Sequence, residues 1–361
     1  MAKQIDGLNA SELSGRSISL SSDGTTVAIG ARNANSNAGA TRIYKWNSSS
    51  WIMLGSQING LAANEASGFS VSLSSDGTTV AIGVVYANSS AGATRIYKLN
   101  NSSWNMLAQI NGVTNELSGF SVSLSSDGTT VAIGVLYANS NAGATRIYKW
   151  NNSSWILDTQ INGLAANELS GYSVSLSSDG TTVAIGVVYA NSSAGATRIY
   201  KLNNSSWNML VQINGLAANE LSGYSVSLSS DGTTVAIGAP YALSNTGTTR
   251  IYKWNNSSWI MLGSQINGLA ANEYSGTSVS LSSDGTTVAI GAPNANSSTG
   301  ITRIYKWNNS SWRMLGSQIT EAANERSGTS VSLSSNGTTV AIGAPNANSN
   351  TGNTRIYNYQ V

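Results

Sequence analysis

The sequence predicts an all-β fold: a seven-bladed β-propeller with four antiparallel strands per blade, the N-terminal strand completing the last blade. Three observations carry this expectation. The segment SSDGTTVAIG recurs with its acid at Asp23, Asp76, Asp127, Asp179, Asp231 and Asp284, and as Asn336 in the last copy. Its period of 51–53 residues, as from Asp23 to Asp76 and on to Asp127, belongs to solenoids or propellers. Within each copy, apolar residues alternate with period two in four short runs, and none carries a helical period.

The elements of one unit follow in order. The first strand reads S-V-S-L-S, apolar and polar by turns. Ser-Asp-Gly then leads to T-T-V-A-I-G, and Asp-Gly between alternating runs predicts a type I′ hairpin with both residues at positive φ. Asn336-Gly337 is the other favoured pair for that turn. A polar loop such as NANSNTG precedes the third strand, T-R-I-Y-K-W. An N-N-S-S turn then leads to the outer strand, W-I-M-L-G-S-Q-I. In VSL and VAI the large side chains share one face and Ser, Ala and Gly the other. A large face can therefore pack on the small face of the next blade, giving one interface repeated around a ring.

The two ends fit that ring. The opening MAKQIDG resembles the tail of an outer strand, and the closing TRIYNYQV stops after a third strand. Residues 2–5, Ala-Lys-Gln-Ile, are expected to pair with the strand holding Thr354, Arg355, Ile356 and Tyr357, which would remove an exposed sheet edge. A linear solenoid would instead show atypical caps. Residues 1–361 are expected to form one domain.

Composition narrows the function. Charged residues make up 9% of the chain and the formal net charge is +2, with no basic cluster of the kind that nucleic acids require. Histidine and cysteine are both absent, so the commonest general base, thiol nucleophiles and thiolate metal sites are missing. Catalysis is not expected, nor is a cofactor. The Asp-Gly turns supply one carboxylate and two hydroxyls, far short of the six to eight oxygens of a calcium site. No apolar run reaches the length of a membrane span, and no secretory signal precedes the first unit. A monomer, or a weakly associating chain, is expected.

The order SGFSVSLSSDGTTVAIGAP, then a Gly-containing loop and an RIY strand, resembles the FG-GAP-like repeats of integrin-type β-propellers. Gly68-Phe69 and Gly119-Phe120 match the FG element in inverted order. Gly238-Ala239-Pro240, Gly291-Ala292-Pro293 and Gly343-Ala344-Pro345 match GAP. The resemblance covers essentially the whole chain and is closest to the repetitive DG-TVAIGA blades of bacterial surface proteins. It implies a binding or adhesion module at the cell surface or outside the cell; a glycan or protein ligand is expected from the aromatic residues beside Asn- and Ser-rich loops. The chain departs from the family in lacking the several carboxylates of its calcium loop. The near-identity of the copies points to recent amplification or to design, and a scaffold without a natural ligand is the rival reading.

Three side-chain patterns are candidates for function. A glutamate precedes each first strand (Glu12, Glu65, Glu116, Glu168, Glu220, Glu273 and Glu325) and an arginine begins each third strand (Arg42, Arg95, Arg146, Arg198, Arg250, Arg303 and Arg355). Both fall on one rim, as one ion pair per blade or as an ion-binding ring. The W-N-N-S-S-W segments place tryptophans at facing hairpin ends, for cross-strand packing or for stacking on a sugar. Finally, two variable positions switch together. After SG come Arg16, Phe69, Phe120, Tyr172, Tyr224, Thr277 and Thr329. Shortly after the second strand come Asn33, Tyr86, Tyr137, Tyr189, Tyr241, Asn294 and Asn346. Both are aromatic in blades two to five alone. The paired change predicts contact between the two rings of a blade, either as packing or as a one-sided aromatic arc for a ligand.

Overall fold

In a computed structural model, which describes residues 3–359, seven antiparallel sheets form a closed ring. The first blade shows the plan. Its inner strand, Ser14–Leu20, pairs with Thr26–Ala31, which pairs with Ala40–Trp46, which pairs with Trp51–Met53. Ile18 opposes Ile29 and Leu20 opposes Val27, so the branched residues of the alternating runs share one face.

That face packs as the alternation predicts. Ala28, Ile43 and Ile58 of the first blade meet Val71, Leu73, Val80, Ile82 and Tyr97 of the second in one buried cluster. Each apolar side chain so buried contributes about 1.5–3 kcal/mol. Close approach of the sheets depends on the small face. A Cβ on Gly30 would lie 2.1 Å from the Gly68 carbonyl oxygen of the next blade, so no larger residue fits there.

Two rings of hydrogen bonds run around the axis. The Ser22 N–H donates to the Ser75 carbonyl (2.9 Å), Ser75 to Ser126, and so on until Ser335 donates to Ser22 (2.8 Å). Ser17 Oγ donates to the Gly68 carbonyl, and the series ends with Ser330 Oγ on Gly15 (2.8 Å). The contact between blades seven and one thus has the same bonds as the others. The N-terminal strand Lys3–Asp6 completes the seventh sheet, with Lys3 opposite Ile356, Gln4 opposite Arg355, Ile5 opposite Thr354 and Asp6 opposite Asn353. Ala2, expected in this strand, lies outside the described residues.

The structure corrects the sequence reading at three places. The Asp-Gly turns are not type I′. Gly24 has φ 71°, but Asp23 is not among the residues at positive φ. Asp23 is held instead by its own side chain, which accepts hydrogen bonds from Ser21 Oγ (2.6 Å), Thr25 N–H (2.9 Å) and Thr25 Oγ1 (2.7 Å). The Gly24 N–H meets the Ser21 carbonyl, the pattern of a longer loop closed by a left-handed glycine. Asn336 keeps all three bonds with its single amide oxygen.

The outer strand is also not uniform. Where one residue more separates the Trp from the Gln, as in W-I-M-L-G-S-Q, the strand breaks into Trp51–Met53 and Ile58–Asn59, with Gly55 at φ 73° between them. Blades five and six break likewise. Blades two to four lack that residue and keep continuous strands with a local register shift, as in Ser103–Asn111.

The third correction lies in the segment after the second strand, expected only as a polar loop. It is one turn of left-handed helix: Asn35, Ser36 and Asn37 have φ 52°, 56° and 60°. L-residues seldom take this conformation in succession. Here the backbone groups of the turn are caught from both sides. Gly39 N–H donates to Ala34 (2.9 Å), while the Asn37 carbonyl accepts the Ala66 N–H from the next blade's entry segment (2.9 Å).

Candidate functional site

Inner strands begin at one face of the ring and end at the Asp-Gly turns on the other, so the axis has two mouths. The turn-side mouth is narrow, about 150 Å³, and is ringed by seven-fold repeated Leu and Ser residues. The opposite mouth is wider, about 410 Å³, and it is where the repeat symmetry breaks.

The variable residue after each SG sits at the start of the inner strand, which places it on the axis. Phe69, Phe120, Tyr172 and Tyr224 accordingly line one side of this mouth. Their rings stack from blade to blade with centroids 5.0, 5.0 and 4.9 Å apart and planes tilted by 46–51°. Burial, and after it the neighbouring Tyr224, pushes the Tyr172 phenol far above its ordinary value, so it stays a neutral hydrogen-bonding group.

The second set behaves differently. Tyr86, Tyr137, Tyr189 and Tyr241 are 49%, 45%, 47% and 39% exposed and stand outside the mouth, each just before the left-handed turn. The expected stacking within a blade is found between Tyr224 and Tyr241 only, at 6.3 Å. Elsewhere the inner aromatics stack with their neighbours around the ring, because the axis brings inner strands together more closely than one strand brings its own loop. Tyr241 also meets Tyr274, edge-on at 5.1 Å.

Non-aromatic members of the same series, Arg16, Thr277 and Thr329, complete the mouth together with Arg32 and Arg326, which lie outside that series. Arg16 and Arg32 of the first blade both lie over Phe69, with guanidinium carbons 6.0 and 5.5 Å from the ring centroid. Arg326 of the seventh blade lines the same cavity and donates to Asn294 Oδ1 at 2.9 Å. Thr277 and Thr329 finish the polar side. A signal for the arginines was present in the sequence. Arg32 stands where other blades have Val85, Leu136, Val188 or Pro, and Arg326 stands where they have Leu, Ala66 or Tyr274.

The glutamate–arginine series forms ion pairs in all seven blades, each within one blade. Arg95 Nη1 lies 2.5 Å from Glu65 Oε1 and its Nη2 2.9 Å from Oε2, both side chains buried. Arg95 Nε donates to Gln109 on the outer strand, and Glu65 also accepts the Leu61 N–H of the segment arriving from the previous blade. Each guanidinium nitrogen and each carboxylate oxygen thereby has a partner, which is what a buried pair requires. Burial pushes the Glu65 carboxyl up, but the hydrogen bonds from Arg95 and Leu61 and the arginine's charge outweigh it and hold the carboxyl below its ordinary range. The pairs join strands and linkers, and they offer no vacant charge to a ligand.

The tryptophans pack on each other across the hairpin, with ring centroids 5.8 Å apart for Trp46 and Trp51. In two blades the outer-strand indole N–H reaches a carbonyl of the preceding blade, as Trp104, which faces Leu99, does to Leu54 at 2.8 Å. Among the described residues no three acidic side chains cluster as a metal site would need, and no helix is long and apolar enough to cross a membrane.

With this geometry in view, the chain can be set beside known proteins. No family model matches it, and no curated protein matches it. Among solved structures, it superposes on a chain of Kuenenia stuttgartiensis hydrazine synthase with a TM-score of 0.66 at 13% identity. The match covers 98% of this chain and 97% of that one. The likeness is one of fold. It extends around the ring and carries no site residue across.

Proposed function

We propose that the chain is a non-enzymatic binding module whose ligand seats in the wide axial mouth. The observation that carries this reading is the cavity of about 410 Å³ lined by Phe69, Phe120, Tyr172 and Tyr224 together with arginines, threonines and Asn346, with Leu13, Pro293 and Pro345 among them. A site of that size, with convergent aromatic and polar groups, suits a compact ligand held by stacking and a few hydrogen bonds. The FG-GAP-like repeat pattern favours a surface-associated binding or adhesion role, with a glycan or a protein side chain as occupant. The stacking of the four rings on one another favours the rival reading of a scaffold without a ligand, since each ring already has partners.

One experiment separates the two. Blades six and seven carry Thr277 and Thr329 at the position of the aromatics, so Phe120→Thr with Tyr172→Thr is compatible with the repeat. A glycan and peptide array is screened with the parent chain and with this variant. A binding module loses its hits in the variant while keeping its β-sheet circular dichroism. A parent chain with no hits, or hits that persist in the variant, sinks the axial site.

A further inference from the structure

Seven of the arginines belong to the third-strand series, and each is neutralised by its own glutamate. Of the others, Arg313 lies on an outer strand, while Arg16, Arg32 and Arg326 all line the wide mouth. Three different slots of the repeat have become arginine, in adjoining blades seven and one, and at one place in the molecule. No Asp or Glu lines this mouth. The nearest acids along the chain, Glu12 and Glu325, are taken up by Arg42 and Arg355 at 2.5 Å. The mouth therefore holds three positive charges without a counter-charge.

Folding does not call for them. At the same slots other blades use Phe, Tyr or Thr, then Val, Leu or Pro, then Leu, Ala or Tyr, and their inner strands form the same pairs. The arrangement instead costs the fold stability. Arg32 Nε is buried with no hydrogen-bond partner. Burial, and then the like charge of Arg16, pulls the Arg32 guanidinium below its ordinary value. A buried donor without an acceptor costs stability that an acceptor would return. Guanidinium groups meet carboxylate, sulfate or phosphate oxygens with paired, parallel hydrogen bonds.

We infer that the axial mouth recognises an anion: a ligand whose carboxylate or sulfate lies among Arg16, Arg32 and Arg326 while its attached ring packs on the arc from Phe69 to Tyr224. The inference rests on the axial-site reading and adds the charge of the ligand to it. The salt of the medium weakens such recognition, and the aromatic arc selects ring-bearing anions over bare ones.

The test uses calorimetric titration of the full chain with digalacturonate, with a sulfated disaccharide, with benzoate, with inorganic phosphate and with the neutral disaccharide lactose. The variant Arg16→Thr, Arg32→Val, Arg326→Leu carries residues that other blades have at these slots. At least one ring-bearing anion should bind the parent chain ten-fold or more tightly than lactose and inorganic phosphate, and that preference should vanish in the variant and in 0.5 M salt. The responding probe identifies the anion as carboxylate or sulfate. Equal binding of lactose and the anions would keep the axial site and overturn its anionic specificity. So would anion binding that survives in the variant, and so would the absence of anion binding to the parent chain. Thermal melting supplies a readout without ligand: the variant should melt at or above the parent temperature, and a marked drop would make the arginines structural.

Discussion

At the residue scale, the informative positions are those where one copy departs from the others. Leu243 is such a case. Six blades place Asn at the first left-handed position of the loop, as Asn35 and Asn88 do, and the fifth places Leu243 there at φ 53° and 54% exposed. Asparagine takes that conformation at a lower cost than leucine does. In four blades the Asn side chain also donates to an asparagine at the end of the outer strand, as Asn35 Nδ2 does to Asn59 at 2.7 Å. Leu243→Asn removes an exposed apolar side chain, lowers the backbone strain and provides a donor for Asn267. It should raise stability by about 0.5–1 kcal/mol, read as a higher denaturant midpoint with unchanged slope. A lower midpoint would mean that Leu243 has a packing role.

At the element scale, the Asp-Gly hairpin shows how a local signal was right about place and wrong about geometry. Asp-Gly in six blades and Asn-Gly in the seventh mark the turn correctly, but the side-chain bonds to Ser and Thr hold the Asp out of positive φ. Those bonds have a consequence for pH. Burial raises the carboxyls of Asp23, Asp76, Asp127, Asp179, Asp231 and Asp284, yet the bonds from the flanking Ser and Thr outweigh it and leave each lowered. A carboxyl lowered in the folded state binds its proton more readily when unfolded. Its stabilisation is complete above the unfolded value, about 3.9 for Asp, and is lost as pH falls through the folded value. The unfolding free energy should therefore be flat near neutrality and decline below about pH 4. Replacing these six by Asn, the residue the last blade already has, removes the charge-dependent part of this stabilisation, so stability at neutral pH should fall toward the acid value and the acid decline should flatten. An unaltered acid limb would place its origin elsewhere.

At the scale of the whole molecule, the closed ring is what gives seven similar blades a shared site. Each inner strand contributes one residue to the axis, so a site there is composed from several repeats at once. Closure depends on the strand Lys3–Asp6, which covers the edge of Asn353–Asn358 and adds the Gln4 bond to Arg355 at 2.9 Å. Removing residues 1–6 exposes that edge and leaves Arg355 without its third partner. The melting temperature should fall by several degrees, and the chain should begin to associate through the open edge, seen by light scattering. A truncated chain that melts unchanged and stays monodisperse would show that the other interfaces suffice for closure.

The period, the four alternating runs and the incomplete units at either end determined the seven blades, the face-to-face packing and the closing strand, because these follow from local alternation repeated at constant spacing. The glutamate–arginine pairs were legible for the same reason, since equal offsets in every copy place equal partners together. Tertiary structure alone decided which neighbour each aromatic ring touches. Phe120 lies about fifty residues from Phe69 and from Tyr172, and only the convergence of inner strands on the axis brings them within 5.0 Å. It also decided that Arg16, Arg32 and Arg326, drawn from opposite ends of the chain, face one cavity. The sequence showed that the first and last blades meet, but not that these three slots of the repeat converge on the same mouth.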